Sequence, residues 1–166
     1  YFYGKDKIPA KMEPGNANYE LSYASGAIVD YLVALGEQAG ETGSRRAKLE
    51  TAFKDITAQE NILSEKVLSY LRKRNDCTII GITDGNSPRR VPTIAFTVKG
   101  KDPEQICLAM DKYKIAIRFG DFHARRLSDS LDLTKDNGTV RISLTHYNTV
   151  GEVEKLLSAF DDILSS

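Results

Sequence analysis

Two arginines carry the first chemical possibility in this sequence. Ile115, Ile117 and Phe119 alternate with Ala116, Arg118 and Gly120, and Val140, Ile142 and Leu144 alternate with Arg141, Ser143 and Thr145. This period of two predicts strands whose apolar residues share one side, so Arg118 and Arg141 project from the other. A guanidinium is a permanently charged planar fork able to bind a carboxylate or phosphate bidentately. The predicted face is therefore suited to hold an anion. A lone strand arginine is also what any solvated face carries, so the spacing alone leaves that plainer reading open.

Other reactive side chains are few. His123 lies in the loop Gly120-Asp121-Phe122-His123-Ala124, where it is either a general acid or base or a loop histidine without a role. His146, beside Tyr147, belongs to a strand end ahead of a helix cap. Cys77 and Cys107 form at most one bridge and show no CxxC or Cys/His metal spacing. They fit reduced thiols inside a cell, and Cys107, within a predicted helix, reads as a small core or surface residue.

The elements that must position these groups follow from periodicity. The first twenty residues, with Gly4, Pro9, Pro14 and Gly15, read as an extended segment. From Ser25 onward Ile28, Tyr31, Leu32 and Leu35 mark a helix face, with Gly36 as its stop and Glu37 to Ser44 as a loop. Leu49, Phe53 and Ile56, then Leu63, Val67 and Tyr70, form a second stripe reaching Arg74. Thr57 and Glu60 have capping-box spacing, so this stripe is either two helices or one kinked helix. A core-facing stripe fits it better than a coiled coil, because the repeats are too few.

Thr78–Ile82 and Thr93–Val98 are rich in β-branched residues and flank a turn over Asp84–Pro88, which predicts two strands. Asp102, Pro103 and Gln105 supply an N-cap, a first-turn proline and a capping-box partner for a helix bearing Ile106, Met110 and Tyr113. After the two arginine-bearing strands, Thr149 and Glu152 form another capping box opening a helix with Val153, Leu156, Leu157, Phe160 and Leu164 inward. The order helix, strand, strand, helix, strand, strand, helix implies an α+β class, a small sheet covered by helices on one face. The expected division is an extended segment over 1–22 and a domain over 23–166.

Composition bounds the partners. At 166 residues and 41% hydrophobic, the chain suits one domain, or two small ones, without metal or disulfide staples. Twenty-three basic against twenty-three acidic residues give no net charge, which argues against a nonspecific nucleic-acid surface. No run approaches the roughly 20 apolar residues of a membrane span, and the start lacks a signal-peptide layout. The cytoplasm is the expected location. The aromatic opening Tyr1-Phe2-Tyr3, without Met, is expected of a fragment of a larger protein.

Longer strings are more specific. Arg118-Phe119-Gly120-Asp121-Phe122-His123-Ala124, then Arg141-Ile142-Ser143-Leu144-Thr145-His146-Tyr147-Asn148-Thr149 followed by Glu152-Val153, closely resembles the C-terminal end of class V aminotransferases, a group that includes cysteine desulfurases and selenocysteine lyases. Tyr3-Gly4-Lys5 looks like the family's strand end shortly after the cofactor lysine, and Glu13-Pro14-Gly15-Asn16 resembles its Glu-x-Gly-Thr loop. The resemblance covers residues 1–35 and 90–164 and is weak between.

The resemblance implies the C-terminal small domain of a fold type I enzyme that uses pyridoxal phosphate, acts on an amino acid and works as a homodimer. By its pattern Arg141 clamps the substrate carboxylate, Arg118 shapes the same pocket, and Gly15 and Asn16 reach the cofactor phosphate. Asn16 stands where threonine is usual, and a plain turn also suits Pro-Gly-Asn. His123 occupies the place of the desulfurase cysteine. An imidazole cannot hold a persulfide, so desulfuration is not expected, whereas transamination, lyase chemistry and a lost activity remain open. The Schiff-base lysine is expected outside this chain, which alone should be inactive. The alternative is a non-catalytic α+β binding or interaction module.

Overall fold

The computed structural model describes residues 15, 17–133, 135 and 137–165. Helices α1 (Tyr19–Gln38) and α2 (Arg45–Arg72) precede strands β1 (Cys77–Ile80) and β2 (Thr93–Val98). Helix α3 (Pro103–Met110) runs into a 3-10 turn at Asp111–Tyr113, followed by β3 (Arg118–Gly120), α4 (Arg125–Ser130), β4 (Thr139–Ser143) and α5 (Val150–Leu164). The chain divides into two compact units, residues 1–55 and 56–166.

In the second unit the strands form one antiparallel sheet in the order β1-β2-β4-β3. Ile94, Phe96 and Val98 of β2 and Val140 and Ile142 of β4 are buried, as are Leu63, Val67, Leu68 and Leu71 of α2, Ile106 and Met110 of α3, and Val153, Leu156 and Phe160 of α5. One sheet face is thus covered by helices, as the alternation predicts. The aromatic centre of this core is Phe96 against Phe160, edge to face at 5.7 Å. The α5 capping box is formed: Glu152 N–H donates to Thr149 Oγ1 at 3.2 Å and Thr149 N–H to Glu152 Oε2 at 2.7 Å.

Several local expectations are corrected. Helix α1 begins at Tyr19 rather than near Ser25, because the Asn18 side chain accepts the Leu21 N–H at 2.8 Å and caps a first turn that has no apolar period. It therefore crosses residue 22. Gly36 does not stop it. A Cβ there would lie 2.1 Å from the Lys48 carbonyl oxygen, so Gly36 permits α1 and the start of α2 to touch backbone to backbone. The stop is Gly40, at φ 90, with Glu41 N–H bonded to Gly36 O and Gly40 N–H to Glu37 O, a Schellman closure. Thr57 and Glu60 start no new helix, since α2 runs through them and its own ladder satisfies the amides that a box would cap.

Asp102 caps α3 through the Glu104 N–H, without Gln105. Ile115 and Ile117 pack on the core, but the ladder begins only at Arg118. Alternation reports which side is buried, not whether the backbone is paired. Helix α4 has no apolar stripe and is absent from the sequence reading.

The β1–β2 loop is pinned to α2. Glu65 accepts from Arg72, from Ser69 Oγ at 2.8 Å and from Gly85 N–H at 3.0 Å. The Arg72 bond, followed by those of Ser69 and Gly85, outweighs partial burial and holds the Glu65 carboxyl at about 2 rather than 4.5.

Two measurements check these packing roles. A folded-state carboxyl held low stabilises the fold fully above its unfolded value, and that gain fades as pH falls from 4.5 toward about 2. Glu65→Gln should therefore lower the urea-unfolding free energy by about 1 kcal/mol at neutral pH, screening by solvent included, and the gap should close across that acid window. Gly36→Ala should destabilise by about 1–3 kcal/mol through overpacking, whereas Gly26→Ala, in α1 with open space around it, should stabilise by up to about 1 kcal/mol.

Candidate functional site

Cross-strand register decides where the two arginines meet. Arg118 of β3 stands opposite Arg141 of β4, and Arg141 stands opposite Ala95 of β2, so the three share the face turned away from Val140 and Ile142. The expected juxtaposition is present. β3 and β4 can close in this register because Gly138 has no side chain: a Cβ there would sit 2.3 Å from the Gly120 carbonyl oxygen.

Beyond Gly120 the chain reverses over Asp121–Ala124. Ala124 N–H donates to Asp121 O at 2.8 Å and His123 N–H to Asp121 Oδ1 at 3.0 Å. Phe122 and His123 lie at φ 53 and φ 62. Two consecutive left-handed residues closed by this bond are the form of a type I′ turn, usually built from Asn and Gly. A left-handed residue carrying a Cβ costs roughly 1–2 kcal/mol. The turn thereby keeps a ring and an imidazole where a cheaper turn would keep neither.

Arg118, Arg141 and residues 119–123 line an open cavity of about 470 Å³. Arg118 is exposed and Arg141 half-buried. The Arg141 guanidinium carbon lies 4.0 Å from the centre of the Phe122 ring. Its Nε is buried and has no hydrogen-bond acceptor among the described residues. A buried cationic N–H without an acceptor is costly. His123 is exposed on the cavity rim.

The remaining candidates lie elsewhere. Gly15 is exposed with open space about its α-carbon, and Asn16 lies outside the described residues. Burial, then the neighbouring Asp111, pushes the Cys107 thiol up to about 11; burial, then Asp76, does the same for Cys77. Neither lines the arginine cavity. His146 faces Glu60, whose carboxyl is raised by burial and partly lowered again by the His146 charge and N–H. Asn148 ties the β4–α5 turn by accepting from Thr145 N–H at 2.9 Å, and its carbonyl accepts from Gln59 at 2.9 Å. The Ser143–Thr149 string thus builds the turn that orients α5.

The residue missed in the sequence is Phe122. Phenylalanine carries no signature of a left-handed turn, and its partner Arg141 is nineteen positions away. Among the described residues there is no cluster of His, Cys, Asp or Glu suited to a metal, and no helix is long and apolar enough to cross a membrane. The described residues also do not make a complete seat for pyridoxal phosphate, because no lysine lines the cavity and Gly15 is in the open.

Comparison with known proteins agrees with this layout. The family model for aminotransferase class-V matches residues 3–156. An aminotransferase-like protein of Gibberella zeae is 32% identical over 99% of this chain, which spans 38% of that protein. A cysteine desulfurase-like protein of Aspergillus flavus is 26% identical over 99% of the chain and 35% of its own length. Among solved structures, the apo cysteine desulfurase of Thermococcus onnurineus matches 73% of this chain and 29% of its own, with a TM-score of 0.62 and 24% identity. The α+β layer therefore has a fold found within cysteine desulfurases of pyridoxal-phosphate fold type I. From its match over nearly the whole sequence, the chain belongs to the class V aminotransferase family.

Proposed function

We propose that this chain is the C-terminal domain of a pyridoxal-phosphate-dependent enzyme acting on an amino acid, and that Arg141, assisted by Arg118, binds the substrate carboxylate. The observation that carries this reading is the pairing of Arg141 with a second guanidinium in register on the next strand, both lining an open cavity, with the Arg141 Nε lacking an acceptor among the described residues. Two permanent cations and an unused donor at one concave place call for a planar anion with two oxygens.

Members of the family depend on pyridoxal phosphate, which supplies an electron sink when bound. The described cavity holds neither a lysine nor a phosphate seat, so we assign the cofactor groups to another part of the protein and derive no step through them here. What these residues do is bind and orient. Arg141 would hold one carboxylate edge, and Arg118 would add charge at the rim. The Gly15-Asn16 segment is proposed to approach the cofactor phosphate in the assembled homodimer. We infer a cytoplasmic setting, which suits two free thiols.

Sulfur transfer is disfavoured by the side chains present. His123 stands where relatives of this pattern carry the sulfur-accepting cysteine, and Cys77 and Cys107 are held protonated by burial. A transferase or lyase reaction fits better.

Two results are expected in the complete natural protein. Arg141→Lys should weaken L-alanine binding by about 30-fold or more, the range for losing one partner of a desolvated charged pair, while alaninamide, lacking the carboxylate, binds unchanged. An equal loss for both ligands would refer the effect to folding and overturn the clamp. Raised to about 11, the two thiols should react with iodoacetamide at pH 7.5 about 100-fold more slowly in the folded than in the denatured chain, and Cys107→Ser should leave turnover unchanged.

A further inference from the structure

Arg141 has no ion pair among the described residues, and its cross-strand neighbour is another cation. Among the described residues neither an acid nor a backbone carbonyl sets the plane of its guanidinium. The group that does contact it is the ring of Phe122, 4.0 Å from the guanidinium carbon. That ring is itself held away from the ordinary backbone regions, at φ 53, by a turn whose two Asp121 bonds leave it little freedom.

A cation over the face of an aromatic ring is attracted by the ring's quadrupole, and this contact uses none of the guanidinium's N–H donors. An acid in the same role would occupy those donors. The local arrangement therefore fixes the fork without consuming its donors, which is what a carboxylate site needs before the substrate arrives.

We propose that Phe122 is a positioning residue, an aromatic platform that orients the Arg141 guanidinium so that a substrate carboxylate meets it edge-on. This rests on the reading of Arg141 as the carboxylate clamp. It also gives the strained turn a purpose, since relaxing either left-handed residue would let the ring swing off the guanidinium.

The test compares wild type, Phe122→Leu, Phe122→Tyr and Arg141→Lys in the complete natural protein, with L-alanine and alaninamide as NMR-titrated probes. Leucine keeps apolar bulk but has no π face; tyrosine keeps both. Phe122→Leu should weaken L-alanine binding about 5-fold, Phe122→Tyr should stay within about 2-fold of wild type, and alaninamide binding should not change in either. The Arg141 Nε–H resonance, shielded by the ring, should lose that shielding in Phe122→Leu and keep it in Phe122→Tyr. Pentafluorophenylalanine at position 122, which keeps the shape but not the electron-rich face, should behave like Phe122→Leu and removes any doubt about folding. If Phe122→Leu or the fluorinated ring binds L-alanine as tightly as wild type while Arg141→Lys does not, the platform is overturned and the clamp stands. If Arg141→Lys also binds normally, the clamp reading itself has failed.

Discussion

The pairing of Arg118 with Arg141 across β3 and β4 is the constraint on which the rest of the site depends. Two guanidiniums at directly opposed positions repel, and an antiparallel sheet does not adopt that arrangement for stability. It persists because the other face of β4, through Val140 and Ile142, is committed to the core. A slip of one residue would send Arg141 inward and Ile142 into water, at a cost far above the repulsion of two partly solvated cations. The hydrophobic layer thus holds in place a charge arrangement that the charges alone would not choose.

The same division of labour governs the surroundings. Glycine at 138 lets the strands close, and the turn at 121–124 accepts left-handed backbone at Phe122 and His123. On the far side, Thr149 and Glu152 start α5 at a defined residue, and Asn148 fixes the turn before it. The β1–β2 loop is clamped to α2 by Glu65. These elements are each tied by hydrogen bonds, while the Arg141 Nε has no acceptor among the described residues. That contrast, satisfied surroundings and an Arg141 Nε without an acceptor among the described residues, is the basis of the proposed binding surface.

Within the family, this chain carries the arginine pair proposed here to bind a carboxylate, and a histidine at 123, where the resemblance implies a sulfur-handling cysteine. His123 offers an exposed imidazole on the rim, and the two thiols, Cys107 buried and Cys77 half-buried, do not line the cavity and are held protonated. The chain spans little more than a third of the lengths of the curated relatives named above.

Much was legible from residue types and spacing. Period-two alternation identified both arginine strands and the face each arginine takes, and the Thr149–Glu152 spacing marked the start of α5, because these signals are local and depend on backbone geometry alone. Asn18 as a cap, Gly36 as a close-contact glycine and the uninterrupted α2 were not legible. In each, the deciding partner is a backbone group or a length of chain that the local pattern does not specify. The residues by themselves determined that two guanidiniums would share a surface. Only the tertiary structure decided that they are direct neighbours, that the Phe122 ring lies against one of them and that its Nε lacks an acceptor among the described residues, since strand register and the approach of a loop to a strand arise from contacts between segments distant in the chain.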